Sequence, residues 1–185
     1  MRKIKKWEVL EEIDVSPSSW FPLFKNKVKF PNGKVIDDYY LSKQSDTAMI
    51  VAFTKKKEMI FVKQYKHGAG DVIIELPAGM IRKGNTPEKE ALLELEEETG
   101  YITEILQPLG VSIQNPTKST ARVYGFIARM AEPLGRQNFD ENEDIEVVLI
   151  PVGKVDEKIK NGDIKASDTI TFIKLAQLKA PELFR

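Results

Sequence analysis

Four glutamates in one short stretch, Glu90, Glu94, Glu97 and Glu98, are spaced so that a helix would gather them on one side. Glu90/Glu94 and Glu94/Glu98 are like-charge pairs four residues apart, and each such pair destabilises a helix by roughly 0.2–0.5 kcal/mol. Lys89 falls on another face. A hard divalent cation would offset that repulsion, because Mg²⁺ takes oxygen ligands and keeps water and substrate phosphate in its shell. A bare run of carboxylates is ordinarily a solvated helix face. The residues ahead of it argue for more. Pro77-Ala78-Gly79 and Gly84 frame what reads as a loop, where free backbone groups can approach a ligand closely.

The helix that must carry the carboxylates is well marked. Thr86 suits the N-cap, Pro87 the first helical position and Gly100 the left-handed position past the end. The spacing predicts a helix over 87–99, with Ala91, Leu92 and Leu95 toward the core.

Around this helix the chain alternates strand signals and turns. Trp7–Leu10, Lys25–Phe30 and Val35–Leu41 read as strands, the last two joined by the Pro31-Asn32-Gly33 turn. Ala48–Phe53 is an apolar run expected as a buried strand, returning through Met59–Val62; Val72–Ile74 is a third short strand. Ile102–Leu106, Ala121–Met130 and Ile145–Ile150 read as later strands. Val152–Lys160 reads as a helix closed by Asn161-Gly162, and Ser167 as the N-cap of a helix over Asp168–Leu178. The expected fold class is α+β (mixed α/β). Residues 1–45 form an N-terminal antiparallel, strand-rich piece, and residues 46–185 form the main domain.

Composition narrows the function classes. The 185 residues include 28 basic and 28 acidic side chains, and a net charge near zero argues against a general nucleic-acid or membrane binder. There is no cysteine, so neither a disulfide framework nor thiolate chemistry is expected. The start MRKIKKWEVLEE runs into charge rather than an apolar core, so no secretory leader is expected, and a cytoplasmic location fits. No Walker A sequence is present.

The stretch from Gly79 to Tyr101 resembles the Nudix box, G-x(5)-E-x(7)-R-E-U-x-E-E-x-G-U, with U aliphatic or aromatic. Gly79, Glu94, Leu95, Glu97, Glu98, Gly100 and Tyr101 fall on the pattern. The lead-in QYKHGAGDVIIELPAG, the later Glu141-Asn142-Glu143-Asp144, Pro116 and the stretch GDIKASDTITFIKLAQL are similar to the ADP-ribose and nucleotide-sugar pyrophosphatase branch. Two positions depart. The first box glutamate is Asn85 here, and the box arginine is Leu93. That arginine usually helps to orient the helix carboxylates, so its loss leaves them one counter-charge short. Metal must then neutralise more, or carboxylate pKa values rise.

The resemblance implies a mixed β-sheet sandwiched by helices. It implies Mg²⁺ (Mn²⁺ as a substitute) held by Glu94 and Glu98, with help from Glu97 and the Ala78 carbonyl. The general base would be Glu97 or a loop glutamate, Glu141 or Glu143. Gly79 and Lys66 would meet the diphosphate, and Tyr39 would stack the nucleobase. The implied reaction splits a nucleoside diphosphate linked to a sugar, ADP-ribose first, into AMP and a sugar phosphate. It implies a homodimer through the N-terminal strands and no nucleic-acid or membrane partner. Asn85 and Leu93 keep open a non-catalytic nucleotide-sugar-binding domain, and a GDP-sugar or dinucleotide remains an alternative substrate. His67 lies in a turn-like HGAG and reads as structural.

Overall fold

A computed structural model describes residues 3–139 and 144–185. The chain divides into two compact units, one of residues up to Ser45 with Ile113–Ala121, the other of Asp46–Ser112 with Arg122–Arg185.

In the first unit, β1 (Glu8–Asp14), β2 (Leu23–Lys29) and β3 (Val35–Ser42) form an antiparallel sheet in the order β1-β2-β3. The β2–β3 turn is the one its residues predict. Gly33 takes φ of 87°, and Asn32 Oδ1 accepts a bond from the Lys34 amide at 3.0 Å. Trp7 packs on Phe30 with ring centroids 4.2 Å apart. β1 is exposed along its whole length, with Val9, Leu10 and Ile13 facing outward.

The second unit is built on β4 (Thr47–Thr54). On one edge β4 runs parallel to β9 (Arg122–Ala131). Its other edge is shared. Ala52 and Phe53 pair with β5 (Glu58–Lys66), whereas Thr47, Ala48 and Met49 pair with β7 (Ala78–Met80). Beyond β5 lie β6 (Asp71–Glu75) and β10 (Ile145–Pro151), and β8 (Ile105–Ile113) flanks β9. The helices are α1 (Pro87–Thr99), α2 (Val152–Lys160) and α3 (Ser167–Lys179).

The apolar run of β4 is explained by burial on both faces, which removes the usual polar alternation. Met49, Val51 and Phe53 join Phe61, Val155, Phe172, Ile173 and Ala176 in one core cluster. Ala48, Ile50 and Ala52 join Ala91, Leu95, Phe126 and Ala128 in the other. The sheet is therefore covered by α1 on one face and by α2 and α3 on the other, and the architecture is α+β. Gly125 is required by packing: a Cβ there would meet the Phe172 ring at 2.1 Å. Among the described residues, no helix is long and apolar enough to cross a membrane.

Four local expectations are corrected. Pro77-Ala78-Gly79 is not a free loop, because Ala78–Met80 is a strand held by β4. The strand expected from Ile102 starts at Ile105; Ile102 makes only an isolated bridge to Glu132. Ser167 is the first residue of α3 and gives no side-chain cap; Ala166 precedes it. Leu92 is half-buried, because α1 turns only Ala91 and Leu95 fully into the core.

Candidate active site

The helix α1 forms where its caps predict. Thr86 Oγ1 accepts the Lys89 amide at 3.2 Å, Pro87 occupies the first turn, and Gly100 takes φ of 70° and donates its N–H to the Glu96 carbonyl. Ala91 and Leu95 anchor it on the sheet beside β7. Its last turn carries no basic residue, so the carboxylates crowd the negative end of the helix dipole, where a cation is favoured. The segment after Gly135 runs along this end: the Asn138 amide donates to the Glu97 carbonyl at 2.9 Å, and Gln137 Nε2 to the Glu98 carbonyl at 3.1 Å.

The acidic side of α1 is not a solvated face. Glu98 is 4% exposed, and its Oε2 accepts the Ala78 amide at 3.0 Å, so helix and strand β7 are tied at one point. Glu94 lies directly over Gly79. A Cβ on Gly79 would fall 2.1 Å from the Glu94 carboxyl carbon, so a side chain at 79 would move that carboxylate from its place. Ala78, Gly79, Met80, Glu94, Glu97 and Glu98, with Arg82 and Asn138, line a cleft of about 220 Å³. The structure thus brings Ala78, Gly79, Glu94, Glu97 and Glu98 together in one cleft.

Arg82 had no role assigned from the sequence, and Glu90, expected on the cation-suited face with the other three glutamates, is instead turned to Arg82 and Asn85. Glu90 is fully buried. Its carboxylate accepts the Arg82 amide at 3.0 Å, Arg82 Nε at 2.5 Å and Asn85 Nδ2 at 2.8 Å. The outer nitrogens of the same guanidinium reach Glu97 at 3.1 Å and 3.3 Å, and Glu94 at 3.8 Å. The expectation that Leu93 leaves the carboxylates one counter-charge short is corrected here, because Arg82 reaches them from the preceding loop. Its sequence signal was weak: a lone arginine in a loop, opposite an acid eight residues later.

Electrostatics separates the two acids. Burial pushes Glu90 up, but the bonds from Asn85 and Arg82 outweigh it and hold the group below the usual carboxylate range. Burial pushes the Glu94 carboxyl up to about 7; the Arg82 charge pulls against that shift, and Glu97 and Glu90 add to it. Several carboxylate oxygens at a negative helix end, one of them on a carboxyl raised by burial, fit a hard divalent cation in kind. Among the described residues no three acidic, imidazole or thiol groups already converge on one point; Glu94 and Glu97 share the Arg82 guanidinium instead.

Lys66 does not line this cleft. Lys66 pairs with Glu75 at 2.8 Å and lines a different cleft with Asp71, Ile73 and Lys165. Tyr39 belongs to the N-terminal unit, where its hydroxyl bonds the Thr117 carbonyl and Lys118 lies over its ring at 4.7 Å. Glu141 and Glu143 lie outside the described residues. His67 is in contact with the Tyr65 hydroxyl at 3.3 Å.

The profile of the NUDIX domain family matches residues 43–170. The chain is 30% identical over 158 residues to an ADP-ribose pyrophosphatase of Bacillus subtilis, covering 85% of each chain. It is 32% identical over 160 residues to an ADP-sugar pyrophosphatase of Mus musculus, covering 77% of this chain and 72% of that one. It is 27% identical over 153 residues to a methanol dehydrogenase activator of Bacillus methanolicus, covering 82% of each. A crystal structure of an ADP compounds hydrolase superposes with a TM-score of 0.88 over 98% of each chain, at 20% identity, which speaks for the fold.

Two outcomes follow from the cleft. Gly79→Ala displaces the Glu94 carboxylate, so Mn²⁺ affinity measured by calorimetry falls by roughly 10–100-fold while the far-ultraviolet circular dichroism stays that of wild type. Burial holds the Glu94 carboxyl up to about 7, so a cation bound through Glu94 would displace its proton, and Mn²⁺ affinity would rise about tenfold between pH 6 and pH 8. Glu94→Gln removes that rise; an unchanged slope in this variant would assign the proton elsewhere.

Proposed function

The chain belongs to the Nudix family of hydrolases, and we propose that the bond it cleaves is the diphosphate of a nucleoside diphosphate linked to a sugar, with ADP-ribose the first substrate. The observation that carries this reading is the cleft itself, where Glu94, Glu97 and Glu98 face the Ala78–Gly79 edge of β7. The relatives named ADP-ribose and ADP-sugar pyrophosphatases support the substrate class.

In this reading Glu94 and Glu98 hold Mg²⁺, with Glu97 and the Ala78 carbonyl assisting, and Mn²⁺ can replace it. The ion supplies charge neutralisation at the diphosphate and a more acidic bound water. The chain's own contribution is position. Gly79 keeps β7 within contact of Glu94, and the Ala78 amide helps to hold the Glu98 carboxylate in place. Glu97, more exposed than Glu94 and Glu98, stands with Glu141 and Glu143 as a candidate base. Tyr39 stacking on the base and Lys66 near the phosphates belong to the same reading, as do a cytoplasmic setting and the sugar and base preference.

Hydrolysis of ADP-ribose, other ADP-sugars, GDP-mannose and a dinucleotide, each with Mg²⁺, tests it. ADP-ribose should give AMP and ribose 5-phosphate, with Glu98→Gln slower by roughly 10²-fold. Binding of these compounds without turnover of any would sink the hydrolase reading in favour of a nucleotide-sugar sensor.

A homodimer through the N-terminal strands completes the reading. It is supported by the outward Val9, Leu10 and Ile13 of β1 and by Trp20, which is 84% exposed, since contiguous exposed apolar residues mark interaction surfaces. Light scattering should give twice the 21.0 kDa of one chain; a single-chain mass at assay concentration excludes it.

A further inference from the structure

One departure from the Nudix box, Asn85, meets the two unexpected charges, and the other, Leu93, lies one helical turn from Glu90. Asn85 bonds Glu90 directly. Leu93 lies one helical turn from both Glu90 and Glu97, at the spacing where helix side chains are neighbours. A glutamate at position 85 and an arginine at position 93 would therefore meet where Arg82, Asn85 and Glu90 meet now. The count of charges is the same in either arrangement, one acid and one base. Here the acid is on the helix and the base on the loop.

We propose that Arg82 and Glu90 stand in for the box glutamate and arginine that Asn85 and Leu93 replace, and that they act as positioning residues that clamp the loop after Met80 to α1 and so set the Ala78–Gly79 edge against Glu94 and Glu98. The clamp has a buried half and an exposed half. The buried half is Glu90, fully enclosed and accepting three N–H groups from the loop. A buried carboxylate deprived of its cation is strongly destabilising, so this half fixes the loop. The exposed half is the outer fork of Arg82, which touches Glu97 from a side chain that is 48% exposed. Pairs at such exposure are weak and easily exchanged. The fork therefore competes little with a cation for Glu97, and the net effect of Arg82 on metal binding is favourable. Geometry also explains why arginine stands at 82. Its Nε serves Glu90 while its terminal nitrogens serve Glu97, and lysine has no second set of donors.

This inference rests on the hydrolase reading for its kinetic consequence but not for its metal-binding consequence, and the test separates the two. Three proteins are compared: wild type, the pair-deleted Arg82→Ala/Glu90→Ala, and the pair-moved Arg82→Ala/Asn85→Glu/Glu90→Ala/Leu93→Arg. Mn²⁺ dissociation constants are measured without substrate, and kcat and KM with ADP-ribose and Mg²⁺. The pair-deleted protein should bind Mn²⁺ about tenfold more weakly, the size expected for groups that support metal ligands, with kcat falling more than KM changes. The pair-moved protein should recover most of both losses. Equal Mn²⁺ affinity in wild type and the pair-deleted protein overturns the proposal. So does a pair-moved protein that binds no better than the pair-deleted one, or that fails to fold. If the pair-deleted protein does not fold, recovery of wild-type Mn²⁺ affinity in the pair-moved protein supports the clamp by itself. Wild type that binds Mn²⁺ in this Arg82-dependent way but hydrolyses nothing refutes the hydrolase reading and leaves the clamp standing.

Discussion

A carboxylate taken out of water must be answered by donors or by a cation, and the loop–helix region of this protein is shaped by three such demands. Glu90 is answered by Arg82 and Asn85, Glu98 by the Ala78 amide, and Glu94 only partly, by the distant edge of Arg82. The cost of an unanswered buried charge is several kcal/mol, far above the roughly 0.2–0.5 kcal/mol of repulsion between neighbouring glutamates on a helix surface. Partner geometry, and not helix propensity, therefore decides how α1 sits on β7. The one acid left partly unanswered is the one whose proton is held up to about 7. A protein has reason to keep such a group where a cation will come.

That arrangement depends in turn on β4. Its outer edge is divided between β5 and β7, and its two faces are divided between α1 and the α2–α3 pair. The small side chains Ala48, Ala52, Ala91 and Ala128 share the α1-side cluster, with Leu95 as the larger wedge. The same strand thus carries the helix on its face and the Ala78–Met80 strand on its edge. Both halves of the cleft are referenced to one rigid element, which is what precise placement of reacting groups requires.

Compensation between Arg82–Glu90 and Asn85–Leu93 bears on how a motif is read. Counted position by position, the box is defective at two places. Counted by charge in space, it is complete, because the loop returns the base and the helix the acid. The retention of Glu94, Glu97 and Glu98 beside a loop that still bonds the helix accords with an active site and not with an eroding one.

The sequence by itself determined the extent of α1 from Pro87 to Thr99, since Thr86, Pro87 and Gly100 are local signals that act through their own backbone. It also determined the two-faced β4, because an unbroken apolar run admits no solvated side, and the membership of Gly79, Glu94, Glu97 and Glu98 in one motif. Only the tertiary structure decided that Ala78–Met80 is a strand, since three residues carry no periodicity and gain their bonds from β4. Only it decided that Glu90 is buried and Glu97 is not, because helical spacing gives a face but not what covers it. The partnership of Arg82 with Glu90 was equally hidden: pairing across a turn depends on where the loop folds, and that depends on the bonds the pair itself makes. Lys66 likewise gains a partner that its position in sequence does not give, Glu75 across the β5–β6 pair.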